Sequence, residues 1–168
     1  MSDVDLVLRP LRPGDESAFV DAHVAMSREG FQFGHEYTPG TPWTAYLARM
    51  EELRAGINVD GFVPTTFLVA EVRGHIVGRT SVRHRLNAAL TQVGGHIGYC
   101  VLPDHRRRGY ATEILRQSLP VARSQGVHDV LVTCDDTNLA SRRVIEACGG
   151  HLASTDGTTR RYWLRSSP

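Results

Sequence analysis

The stretch "RRRGYATEIL", Arg106 to Leu115, concentrates the chemistry of this 168-residue chain. Three arginines, a glycine and the start of a helical pattern admit three readings: a nucleic-acid patch, a solvated charge run, or a seat for phosphate. The first wants several phosphate contacts and nearby aromatic residues. Only Tyr110 stands near the run, and a net charge of +1 gives no bulk attraction for a polyanion. Context favours phosphate. The run leaves a strand-like "HIGYCVL" and opens into a helix, whose N-terminus offers unpaired N–H groups and the positive end of its dipole. Gly109 and Ala111 are small, so an anion can approach the backbone between Arg108 and Thr112, and the arginines add charge-assisted hydrogen bonds. The spacing Arg106-x-x-Gly109-x-Ala111 is neither the P-loop nor the dinucleotide fingerprint.

Other residues carry weaker signals. His96 shares a strand face with Gly98 and Cys100, and its imidazole suits either proton transfer near neutral pH or a hydrogen-bonded structural role. Asp135-Asp136 reads as a cap and a solvated carboxylate more readily than as a cation site. The eight histidines show no HxH or HExxH spacing, so no metal is expected. Phe31, Phe33, His35, Glu36 and Tyr37 form an aromatic and acidic group that fits either a recognition loop or a packed lid. Arg79, Arg83, His84 and Asn87 lie on or beyond a strand leading towards "HIGYCVL", and either meet an acidic group or face solvent.

The elements that must position these residues follow from periodicity. "DLVLRPL" alternates as a strand, and "RPGDESAFVDAHVAMSREG" and "WTAYLARMEELRAG" read as helices, the second with Tyr46, Leu47, Met50 and Leu53 on one face. "TTFLVAEVR" and "HIVGRTSVRHRL" form a hairpin about Arg73-Gly74, and "NAALTQVGG" is a polar connection into "HIGYCVL". From Gly109 the period returns to that of a helix, with Ala111, Ile114, Leu115, Leu119 and Ala122 in one stripe. Pro120 predicts a kink or an early end there. "HDVLVTCDD" is a strand, "NLASRRVIEACGG" a helix and "TTRRYWLR" a last strand. The order predicts one mixed α/β domain over residues 1–168.

At this point the chain resembles the GNAT superfamily of CoA-dependent N-acetyltransferases, and within it an uncharacterised bacterial branch with similar "RHxLN" and "GGHIGY" runs. Arg106, Gly109 and Ala111 match the family's pyrophosphate signature, Gln/Arg-x-x-Gly-x-Gly/Ala, and the likeness runs from Gly95 to Gly150. It implies a mixed, mostly antiparallel sheet of six to seven strands flanked by helices, with the fourth and fifth strands splayed so that pantetheine enters the gap as an extra strand. It implies acetyl-CoA as co-substrate, with backbone contacts at Cys100, Val101 and Leu102 and the pyrophosphate on Arg106, Arg107, Arg108, Gly109, Tyr110, Ala111 and Thr112. Asn138 and Ser141 would border the pantetheine or adenosine, unless Asn138 merely caps its helix. The N–H of Cys100 is expected to polarise the thioester carbonyl, and His96, standing where some relatives have a catalytic Glu, to accept the amine's proton. One departure stands out: Ile145 occupies the position of the family's Tyr acid. That leaves the acid open: either the thiolate leaves unassisted, or Tyr99 or Cys134 serves, though Tyr99 also reads as a core residue and Cys134 as a small buried hydrophobe. A non-catalytic acyl-CoA sensor is the alternative to an enzyme.

The bulk numbers suit this reading. The three cysteines, Cys100, Cys134 and Cys148, are scattered and lack CxxC, which fits a reducing compartment. "MSDVDLVLRP" has no signal-peptide character and no run approaches a membrane span, so a cytoplasmic protein without membrane or nucleic-acid partners is expected. Its acceptor would be a small-molecule or peptide amine, and the chain a monomer or homodimer.

Overall fold

A computed structural model describes residues 4–166. Two β-branched runs, β2 (Thr65–Val72) and β3 (His75–Arg83), fold back on each other through Arg73 and Gly74, whose φ angles of 49° and 81° suit a tight hairpin turn. β1 (Leu6–Arg9) pairs antiparallel with β2, and β4 (Ile97–Val101) pairs antiparallel with β3. A second sheet has the order β5–β7–β6, from Asp129–Asp135, Thr159–Arg165 and His151–Thr155, again antiparallel.

Apolar stripes decide how the helices cover these sheets. α1 (Glu16–Ser27) and α2 (Trp43–Ala55) bury Phe19, Met26, Trp43, Tyr46, Met50 and Leu53 in an aromatic core with Phe33, Phe67 and Cys100. On the opposite face, α4 (Tyr110–Ser124) and α5 (Leu139–Ala147) bury Leu115, Leu119 and Ile145 against Val82, Ile97, Val130, Val132, Tyr162 and Leu164.

The expected fold class holds, and three local readings change. Pro120 lies inside α4 without ending it: the residue is exposed, so the Arg116 carbonyl that loses its partner can meet water. "NAALTQVGG" contains the short helix α3 (Ala88–Gln92), where Asn87 Oδ1 accepts from the Leu90 N–H at 2.9 Å. The strand β6 has no counterpart in the periodicity because all five of its side chains are exposed.

Candidate active site

The two sheets touch at one seam. The His96 N–H donates to the Leu131 carbonyl at 2.7 Å, and the His96 carbonyl accepts from the Arg83 N–H at 2.7 Å. The ring joins in as well, with Nδ1 accepting from the Leu131 N–H at 2.9 Å. An imidazole thus takes the place of a backbone acceptor. Gly95, at φ 60°, permits the close approach, because a Cβ there would strike the Leu131 carbonyl. Beyond this seam no ladder joins β4 to β5 among the described residues, so the strands part and the far edge of β4 is left open.

Which amides line that edge follows from register. The Arg83 N–H reaches the His96 carbonyl and the Leu102 N–H reaches the Val77 carbonyl at 2.8 Å, one cross-strand bond in each of these opposed pairs, while the His96 N–H turns away to Leu131. Such pairs recur at every second position, which assigns Ser81–Gly98 and Arg79–Cys100 to the same class. Cys100 therefore turns its N–H towards β3, and the expectation that it polarises a thioester is corrected. The Leu102 N–H is likewise taken by Val77. Tyr99 and Val101 present their backbone groups to the open side instead. The phase of this alternation is set by pairing, so no sequence signal marks it.

After β4 the chain builds an anion cradle. Arg107 and Gly109 both adopt positive φ, 61° and 79°, curling the backbone before α4. The first α4 amide with a backbone partner is that of Glu113, which donates to Gly109 O at 3.2 Å. No intramolecular backbone acceptor serves the amides of residues 107–112 among the described residues. A Cβ on Gly109 would meet nothing within 4 Å, so the residue is needed for its backbone angle and the space above it is open.

The three arginines divide. Arg106 is held by Glu29 at 2.6 Å and by the Val101 carbonyl at 3.1 Å, and so braces the loop. Arg108 makes one contact, to the Asp104 carbonyl at 3.2 Å, and Arg107 makes none among the described residues. Both are exposed and free to meet an anion. Tyr110, Ala111 and Thr112 form the first turn of α4, half-buried beside the cradle.

At the start of α5, Asn138 Oδ1 accepts from the Ser141 N–H at 3.0 Å, the capping role. Ser141 Oγ meets the Tyr99 hydroxyl at 2.8 Å, which ties β4 to α5 across the gap. Burial holds the Tyr99 hydroxyl protonated far above its usual range, and also raises the Cys134 thiol. Ile145 is wholly buried in the aliphatic core. Asp136 is occupied by Arg160 at 2.5 Å, and no group of three or more potential metal ligands occurs among the described residues.

The loop between α1 and α2 divides in the same way. Phe33 and Tyr37 are core residues, and Glu36 binds Arg49 at 3.0 Å. The His35 Nε2 is buried without a hydrogen-bond partner. Arg79 fastens this loop to the sheet, donating to the carbonyls of Gln32 and Phe33 at 3.0 Å each and of Gly98 at 3.2 Å. Arg83 Nη1 donates to the carbonyls of Gly94 and Gly95 at 3.1 Å. His84 pairs with the Thr66 hydroxyl, and Asn87 caps α3, so both are structural. No helix among the described residues is long and apolar enough to cross a membrane.

Comparison with known proteins gives the family and the fold. The acetyltransferase (GNAT) domain family matches residues 5–151, and the chain belongs to that family. Its fold is that of Mycobacterium smegmatis RimJ solved with CoA-disulfide, at TM-score 0.66 and 22% identity over 95% of this chain and 81% of the other. It is also that of Vibrio cholerae spermidine N-acetyltransferase with CoA and spermine, at 0.65 and 15% over 96% of each. Salmonella typhimurium yncA with acetyl-CoA gives 0.65 and 16% over 97% of this chain and 95% of the other. No curated protein matches the chain.

Proposed function

We infer that the protein transfers an acetyl group from acetyl-CoA to an amine nitrogen by direct attack. One observation carries the reading: the unpaired β4 edge at Tyr99 and Val101 runs straight into a cradle of free amides at residues 107–112. The edge suits a ligand that hydrogen-bonds like a strand, and the cradle suits phosphate. The Tyr99 and Val101 amides are the two donors available to a thioester oxygen as it gains charge.

In the transfer the amine lone pair forms a C–N bond as the C–S bond breaks, one proton leaves nitrogen and one joins sulfur. The Tyr99 hydroxyl, which stands between β4 and α5 against Ser141, supplies the second proton as sulfur gains charge and takes one back from water. The first proton passes to water. His96 serves poorly as its acceptor, because its Nδ1 lone pair is committed to Leu131 and burial, then the Arg83 charge, lowers its basicity. Its task is to hold the seam.

A second reading, an acyl-CoA sensor without turnover, is favoured by Ile145, which carries no proton. Free-thiol release from acetyl-CoA across a panel of amines decides between them. Turnover with at least one amine is expected. Tight acetyl-CoA binding with no thiol release on any amine overturns the transferase reading.

A further inference from the structure

Two guanidinium groups converge on one point of β4. Gly98 has no side chain, and a Cβ placed there would lie 3.6 and 3.7 Å from Arg83 Nη1 and Nη2 and 3.8 Å from Arg79 Nη1. Arg79 and Arg83 reach this spot because Arg79, Ser81 and Arg83 share a face of β3 and lie opposite Cys100, Gly98 and His96. The spot is on the face of α1 and α2, beside the Phe31–Tyr37 loop, whereas α4 and its cradle cover the other face.

Neither arginine has a carboxylate within 4.0 Å among the described residues. Their partners are neutral: backbone carbonyls, the Ser81 hydroxyl, and for Arg79 the faces of Phe31 and Phe67. Glu36, the nearby acid, is engaged by Arg49 and faces His35 at 3.8 Å. Nε and Nη2 of Arg83 donate to no described residue.

Two mostly buried cations beside each other, without an anion, are costly to keep. Burial, and then the Arg79 charge, pushes the Arg83 pKa down to about 10, and burial lowers that of Arg79 as well. A planar fork with one arm free is the geometry that grips a carboxylate by two bonds.

We propose that Arg83, backed by Arg79, seats a carboxylate of the acceptor, which makes that acceptor a small amino acid rather than a polyamine. The inference rests on the transferase reading and gives it a substrate class. Arg79 positions and reinforces the charge, since four of its five donors are already spent on the loop, Gly98 and Ser81. Arg83 makes the contact. The same positive field disfavours the ammonium form of the acceptor, leaving more of the neutral nucleophile that direct attack needs.

The test uses matched pairs. Amino acids with small, aromatic, acidic and basic side chains are each compared with their carboxamides, with spermidine as a cationic control, by CoA thiol release. At least one acid is expected to exceed its amide by tenfold or more in kcat/KM. In Arg83→Ala that ratio collapses towards one through the acceptor KM, while the acetyl-CoA KM is unchanged, and Arg83→Lys restores part of it. An amide or spermidine that equals the best acid in the wild-type protein overturns the proposal, as does a ratio that survives Arg83→Ala. A second readout is independent of turnover and of the variants' folding: NMR titration of the wild-type chain with N-acetylated amino acids and their carboxamides. Tighter binding of the acids sustains the seat even if no amine turns over, and equal binding removes it even if one does.

Discussion

The two sides of β4 are built by different means. The cradle at residues 107–112 is made of backbone amides, open to solvent, with its most constrained residue, Gly109, carrying no side chain at all. The Gly98 side is made of side chains: two arginines, one of them buried, in a frame of carbonyls and aromatic rings. A backbone site is insensitive to most substitutions and fails when φ is denied. A side-chain site fails one residue at a time. Donor recognition should therefore be a property of the fold, and acceptor recognition a property of particular positions.

Substitutions test that contrast. The largest effect is expected from Tyr99→Phe, which keeps the β4 amide but removes the hydroxyl; kcat should fall by about 10²-fold with acetyl-CoA affinity retained. Unchanged kcat, measured by thiol release, would pass the acid role to water. Gly109→Val denies the φ of 79° at a strain of about 1–3 kcal/mol and should weaken acetyl-CoA binding by roughly tenfold in calorimetry. Full affinity in that variant would mean that side chains, not amides, hold the phosphates.

His96→Ala leaves the Leu131 N–H without its acceptor, a loss of about 1–3 kcal/mol. The melting temperature should fall by about 2–4 °C for each kcal/mol. Arg107→Ala or Arg108→Ala should be smallest, roughly two- to threefold in the acetyl-CoA KM and fading in high salt, as suits exposed charges that only reinforce amides.

Acid should act on the side-chain regions. Burial lowers the pKa of His23, His35, His84 and His96 below the ordinary imidazole value. The unfolded chain therefore binds protons first, so the stability these rings contribute is complete above about pH 6.5 and is lost as pH falls below it. A melting temperature flat from pH 8 to 7 and declining from pH 6.5 to 5 is the expected profile, and a rise towards pH 5 would contradict it.

The backbone curl before α4 is legible in the sequence because its signals are local: Gly109 and Ala111 stand after "HIGYCVL" and before an amphipathic stripe. The acceptor side is not, since it depends on contacts far apart in the chain. Arg79 and Arg83 read as ambiguous until Gly98, paired with Ser81, supplies the gap they enter. "FQFGHEYTPG" read as recognition or lid, and supplies two core rings, Phe33 and Tyr37, because α1 and α2 leave an aromatic space that the loop fills. The resemblance points to the Cys100 N–H, but it does not carry the phase of the hydrogen bonds, which the pairing with β3 sets. β6 was invisible because an exposed strand need not alternate.

The seam at His96 has one more consequence. The Leu131 amide is held by an imidazole lone pair, so its environment is tied to a single protonation event rather than to the melting of a sheet. When the ring gains a proton, that acceptor vanishes while the His96 N–H bond to the Leu131 carbonyl can remain. The Leu131 amide resonance is thus a built-in proton gauge at the mouth of the gap, reporting from inside the molecule how firmly its two half-sheets are fastened.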